Sequence, residues 1–206
     1  MIARQISAAA FFVLVQAGLP AAAMDNRYPD WPCQQLKVPE LSVAAIWPEP
    51  IPEQSAKPAS QLPGLNDMVA QLAARKTPME EAEKQISSFI TGTPEERKEK
   101  ADLLFIGLFD ALNAQRFQVM NGLERAYRRQ KDLAEKVRSD MEKLRGLQDA
   151  DGDSPQLKEL VGQVQWETRV FDDRRQTLKY ACEVPVEIDQ RIFALARAIQ
   201  KAGGIS

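Results

Sequence analysis

The sequence predicts an all-α protein. It reads as a small helical bundle extended by a long antiparallel, coiled-coil-like helical hairpin, with an irregular Pro-rich strap at the N-terminal end. Three observations predict this. Ala, Leu, Glu, Lys, Gln and Arg dominate after residue 63, while Val, Ile and Thr form no alternating runs. Apolar residues recur at alternating spacings of three and four over two long segments, separated by the turn-forming stretch DADGDSP. Between Asp25 and Pro63 lie Pro29, Pro32, Pro39, Pro48, Pro50, Pro52, Pro58 and Pro63, a density that forbids long helix and disfavours a central strand.

The chain opens MIARQISAAAFFVLVQAGLPAAAMDN. One positive charge at Arg4, an apolar run to about Gly18 and the small residues Ala21, Ala22 and Ala23 predict a secretory signal peptide over 1–23. The run is short of the roughly 20 residues that a helix needs to cross a bilayer. No cysteine follows the small residues directly, which speaks against a lipoprotein anchor. The strap then covers 24–63. Within it Leu41–Trp47 reads as a short extended piece and Glu49–Leu62 as a polar connector.

The helical domain is expected over 64–206, and its helix starts are marked. TPME (Thr77–Glu80) and TPEE (Thr93–Glu96) each place Thr to cap free N–H groups, Pro at the first helical position and Glu three residues after Thr. SPQL (Ser154–Leu157) repeats the start without the Glu. These signals predict helices at about Leu65–Arg75, Pro78–Ile90, Pro94–Gln148, Pro155–Cys182 and Val186–Ala202, with Pro185 kinking or breaking the last two apart.

The third helix begins with ADLLFIGLFDAL, Ala101–Leu112, apolar almost all round and therefore core. Beyond it Met120, Leu123, Tyr127, Gln130, Ala134, Val137, Met141 and Leu144 form a seam. Leu157, Val161, Val164, Thr168, Phe171, Arg175, Leu178 and Cys182 form a second, weakened by Thr168 and Arg175. Folding back at 149–154 makes a hairpin over about 113–182 and sets residue 182 level with residue 120. Its arms would project about 40 Å at 1.5 Å per residue. The base would gather Leu103–Leu112, the two short helices, and Ile188, Ile192, Phe193, Leu195 and Ile199.

Two cysteines, Cys33 and Cys182, are all the chain has. In an oxidising compartment they would pair and staple the strap to the hairpin base, with Trp31 and Tyr28 packed beside the bridge. The loop so closed corresponds to roughly 5 kcal/mol as an upper bound. No C-x-x-C is present to support redox catalysis.

Function is bounded more by exclusion than by motif. The chain contains no His, which removes Ser-His and Cys-His nucleophile activation and the usual zinc shells. Its 27 basic and 29 acidic residues are intermixed, so neither nucleic acid nor an anionic membrane is the implied partner. Asp149, Asp151 and Asp153 match the first ligands of a calcium loop, but Ser154 stands where such a loop has Gly and Leu160 where it has Glu. A solvated turn explains them as well, and no cofactor is expected.

The charge run Glu124–Arg145 reads as the outer face of a coiled coil. Arg128, Arg129, Arg174 and Arg175 would make a basic patch if they face alike. Trp166 lies off the second seam and Trp31 on the strap, so both are candidate partner anchors beside Arg128 and Arg129. GTPEERKEK, Gly92–Lys100, resembles the Thr-Pro-Glu helix starts of periplasmic stress chaperones of the Spy and CpxP type, and helix capping accounts for the same letters. The expectation is a non-enzymatic periplasmic protein that acts through protein contact, as an adaptor or assembly factor. The alternatives are a holdase of the periplasmic stress type, or an accessory subunit or small-ligand carrier. Polar seam positions also fit a homodimer, and no stable membrane insertion is expected after the signal peptide is removed.

Overall fold

The computed structural model describes residues 26–51, 62–150 and 154–205. The expected signal peptide, most of the polar connector, and Asp151 and Asp153 therefore lie outside the described residues. Among those residues the fold is all-α: α1 (Leu65–Ala73), α2 (Met79–Phe89), α3 (Pro94–Ala150), α4 (Pro155–Ala181) and α5 (Glu183–Gly203).

Helix starts follow the local chemistry where the strand of contacts allows it. At α3 the box closes in both directions: the Glu96 amide donates to Thr93 Oγ1 at 3.3 Å, and the Thr93 amide to Glu96 Oε2 at 2.9 Å. Ser154 Oγ accepts from the Leu157 amide at 3.3 Å. The Thr77 box does not form. Pro78 is the cap residue of α2, and the Thr77 hydroxyl donates instead to the Gln71 carbonyl at 2.8 Å. That leftover carbonyl at the end of α1 competes for the hydroxyl and wins. Arg191 completes the same junction, donating to the Leu72 carbonyl at 2.6 and 2.9 Å and to the Thr77 carbonyl at 3.0 Å. Burial without an acidic partner holds the Arg191 guanidinium below its usual value.

Near Pro185 the helix is interrupted at one residue, Cys182, whose backbone stays in the right-handed helical region at φ −65° and ψ −20°. Pro185 sits buried in the first turn of α5, where its missing N–H leaves no bond unmade. At the far end, Gly204 closes α5 with φ +73°, and the Ile205 amide bonds the Gln200 carbonyl at 3.0 Å, turning Ile205 back into the core.

The core lies at the base. Leu104, Phe105, Leu108 and Leu112 of α3 meet Ile188, Ile192, Leu195 and Ile199 of α5, with Leu65 and Leu72 of α1 and Ala82 and Ile86 of α2 closing the sides. The spacing of four, three and four along α5 puts its four apolar residues on one stripe. Phe193 falls off that stripe and is 38% exposed, so it is not a core residue as expected from sequence. Gly107 lets α1 approach closely, because a Cβ there would lie 2.9 Å from Val69 Cγ2.

Past the core, α3 and α4 run antiparallel. Gln130 Nε2 donates to the Phe171 carbonyl at 2.7 Å, Lys136 pairs with Glu167, and Gln163 Nε2 reaches Asp140 at 3.3 Å. The paired positions climb one helix as they descend the other. Cys182 shares a cluster with Met120, as the fold-back at the turn requires. The distal seam departs from expectation. Met141 faces solvent at 43% exposure, while Asp140 is buried under Lys136 and Lys143, one residue and about 100° round the helix. Thr168 and Arg175 are exposed, and only Leu157 and Val164 are buried within α4.

The strap runs along α3 in the opposite direction. Asp30 pairs with Arg128 at 2.9 Å and Lys131 at 2.6 Å, Lys37 with Glu124 at 2.5 Å, and Glu49 with Lys98 at 2.9 Å. The expected extended piece at Leu41–Trp47 is instead a 3-10 turn at Val43–Ala45. That turn seats Trp47 on Phe105, with ring centroids 4.3 Å apart and nearly parallel, and lets the indole donate to Asp102 at 3.1 Å.

Candidate interaction surface

The strap's best-defined attachment is at the hairpin base. Cys33 and Cys182 form a disulfide, S–S 2.04 Å and Cα–Cα 5.5 Å, between residues 149 apart in sequence. Trp31 packs against Met120 and Leu123 beside it and donates its indole N–H to the Gln35 carbonyl at 2.7 Å. Lys37 Nζ lies 4.7 Å from the centre of the Tyr28 ring. Trp31 is therefore only 8% exposed and is spent on holding the strap; it offers no surface to a partner.

The other expected contact residues separate in part. Arg128 and Arg129 stay together, lining one open depression with Asp30, Arg125, Lys131, Asp132 and Glu135, where Arg128 is tied to Asp30. Arg175 stands on a different groove and touches Asp172 at 3.5 Å. Arg128 and Arg175 thus line different depressions. Two acidic groups carry the local electrostatics. Lys131 first, then Arg128, holds the Asp30 carboxyl below its usual range. Lys136 and Lys143 do the same for Asp140. Asp189 goes the other way: half-burial pushes it up, and its bond to Arg116 Nε at 2.6 Å does not fully offset that. Arg116 also donates to the Pro39 carbonyl at 3.3 Å, so one buried guanidinium joins α3, α5 and the strap.

Trp166 is 63% exposed on the outer face of α4, off the seam as its spacing indicated. One turn earlier, Gly162 has nothing within 4 Å of where a Cβ would stand. Arg169, one turn later, is also exposed. Tyr180 and Phe117 are exposed large side chains nearer the base.

Beside the disulfide lies a groove of about 350 Å³, bounded by Pro32 and Gln34 of the strap, Tyr127 and Gln130 of α3, and Phe171 and Leu178 of α4. Gln130 is 5% exposed; its amide nitrogen is used on Phe171, and its buried Oε1 has no donor. A buried acceptor left without a donor costs about 1–3 kcal/mol. Sequence reasoning placed Gln130 on the seam but not at a groove, because the groove's third wall is the strap. Asp140 was missed as a buried group, although Lys136 and Lys143 at its i−4 and i+3 positions were a visible signal.

Asp149 is exposed at the end of α3. Among the described residues no cluster of three or more His, Cys, Asp or Glu stands together as a metal site, and no helix is long and apolar enough to cross a membrane. No protein-family model, curated protein or solved structure matches the chain.

Proposed function

We propose that the chain is an exported, non-enzymatic protein of the periplasm that works through protein contact, as an adaptor or assembly factor whose hairpin presents the outer face of α4. The observation that carries this reading is Trp166, a large aromatic side chain left 63% exposed on a helix whose buried positions are elsewhere. Trp and Arg are enriched among the residues that dominate binding energy. The pair Trp166 and Arg169 suits a partner pocket that takes an indole beside an acidic group. The joined cysteines and the expected signal peptide support export. The absence of His from the sequence supports a role without acid-base catalysis.

Photo-crosslinking in intact cells tests this. A photoreactive residue at Arg169 should give one dominant adduct, identifiable by mass spectrometry, and a probe at exposed Phe193 on the bundle should not. A broad spread of unfolded envelope proteins at both positions would replace the adaptor with a holdase. No adduct at Arg169 would overturn the reading of this face.

A further inference from the structure

We propose that the outer face of α4 joins two copies of this chain, packed antiparallel across a two-fold axis at the level of Val164. The inference rests on the reading of this face as a contact surface and names the partner.

Four residues carry it. Glu159, Gly162, Trp166 and Arg169 recur at spacings of three, four and three, the period of a helix–helix seam. At about 100° per residue they fall within an arc of about 80°, centred about 170° round the helix from buried Leu157 and Val164. All four are exposed, so α4 carries a second stripe that nothing in its own chain covers. Glu159 and Arg169 make no ion pair among the described residues. They stand ten positions apart, about 15 Å along the helix, so they cannot meet within one copy.

The stripe is self-complementary. An antiparallel two-fold at Val164 sets each residue against the one equally far on the other side. Trp166 then lies over Gly162 of the second copy, where nothing stands within 4 Å of a Cβ position and the backbone is open to a large side chain. Glu159 meets Arg169, and the axis repeats both contacts. Asp173 falls opposite Pro155, and no like charges come directly face to face. A parallel, in-register pairing would instead oppose Glu159 to Glu159 and Arg169 to Arg169. The charge pattern therefore selects one orientation. Exposed ion pairs chiefly set register and orientation, while the buried indole supplies most of the affinity. The overlap covers 155–173, about 27 Å of helix, so Cys182, the strap and the bundle stay outside it.

Sedimentation of the oxidised mature chain over a concentration series tests this. The wild type should pass from monomer to dimer. Arg169→Glu and Glu159→Arg should each weaken the dimer at least about ten-fold, because each sets like charges together twice. Mixed in equal amounts, these two variants should recover about the wild-type affinity, since each then offers the other opposite charges at both pairs. Trp166→Ala should weaken the dimer at least about ten-fold. Helical circular dichroism of each variant confirms the fold.

A chain that stays monomeric throughout overturns the homodimer. A foreign protein crosslinked at Arg169 would then keep the face as a partner surface, whereas no adduct there would remove both readings. A dimer indifferent to both charge reversals is held elsewhere and overturns α4 as its face. Reversals that dissociate the dimer without recovery on mixing overturn the antiparallel two-fold at Val164.

Discussion

Gln35 donates its side-chain amide to the backbone carbonyl of Cys182 at 2.6 Å, two residues from the cysteine that is bonded to Cys182 itself. The strap is thus tied twice to the junction of α4 and α5, once covalently and once by a hydrogen bond. This junction is also where Pro185 interrupts the helix, so the break, the bridge and the strap meet at one level of the molecule.

The bridge should matter to stability in proportion to the loop it closes. Replacing both cysteines by Ser, or reducing them, should lower the unfolding free energy by up to about 5 kcal/mol, less whatever structure the unfolded chain retains. Urea unfolding followed by circular dichroism measures this. Equal midpoints with and without reductant would show that the strap is held by its other contacts.

Trp47 is the second anchor of the strap, buried to 2% exposure between Phe105 and Asp102. Trp47→Ala should cost about 3–5 kcal/mol through the cavity it leaves. Trp47→Phe should cost less, because it keeps the stacking and forfeits mainly the hydrogen bond to Asp102. The ranking of the two, read from thermal melts, checks the anchor. Equal losses would assign the whole effect to the hydrogen bond.

Hairpin stability should depend on acid through Asp140. Its carboxyl is held below the ordinary aspartate value of 3.8 by Lys136 and Lys143, so folding takes up the ionised form preferentially. That stabilisation is fully present above 3.8 and is lost as pH falls through the lower folded value. Asp30 has the same sign and should release the start of the strap in the same window. Asp189 has the opposite sign: its raised value favours the protonated form in the folded state, so its contribution is lost as pH rises through that value. Amide protection over residues 133–147, taken relative to the intrinsic exchange rate at each pH, should therefore fall at low pH in the wild type. In Asp140→Asn it should be low already at neutral pH. Identical exchange in the two proteins would remove Asp140 from the account.

Gly107 sets two effects against each other. Ala at this position gains about 1 kcal/mol of helix propensity. The same Cβ would stand 2.9 Å from Val69 Cγ2, and overpacking of this kind costs about 1–3 kcal/mol. Val69 is β-branched and yields little at χ1, so the clash should win and Gly107→Ala should destabilise by about 1 kcal/mol. A rise in melting temperature would mean that α1 shifts away freely.

Trp166→Ala should leave stability within about 0.5 kcal/mol, as for a surface position with no packing role. It should nevertheless abolish the dominant crosslink at Arg169. Loss of stability would make Trp166 a structural residue and withdraw it as an anchor.

Much of the fold is written locally in the sequence. The Thr-Pro-Glu-Glu start of α3, the Ser-Pro start of α4 and the Asp-Gly turn between them mark the hairpin's arms, and antiparallel fold-back alone then puts Cys182 level with Met120. The apolar stretch Ala101–Leu112 marks the core because nearly every face of it must be covered. The pairing of Cys33 and Cys182 follows from the chain having two cysteines, together with the oxidising destination expected from its opening residues.

What the chain alone could not settle is which side chain each position spends, and on what. Trp31 and Trp166 look alike as exposed-anchor candidates, yet one is buried under the strap and the other is free. Thr77 and Thr93 sit in matching sequences, yet only Thr93 caps its helix, because the end of α1 draws the hydroxyl of Thr77 away. Asp140 displaces Met141 from the seam once Lys136 and Lys143 close over it. For Trp31 the physical reason is range. Helix formation and capping are decided within a few residues, so sequence by itself determined the helices and their antiparallel order. The path of the strap is decided by contacts distant in sequence, such as Arg116 with Pro39, 77 residues apart, and Gln200 with Ile46, 154 apart, and only the tertiary structure settled it.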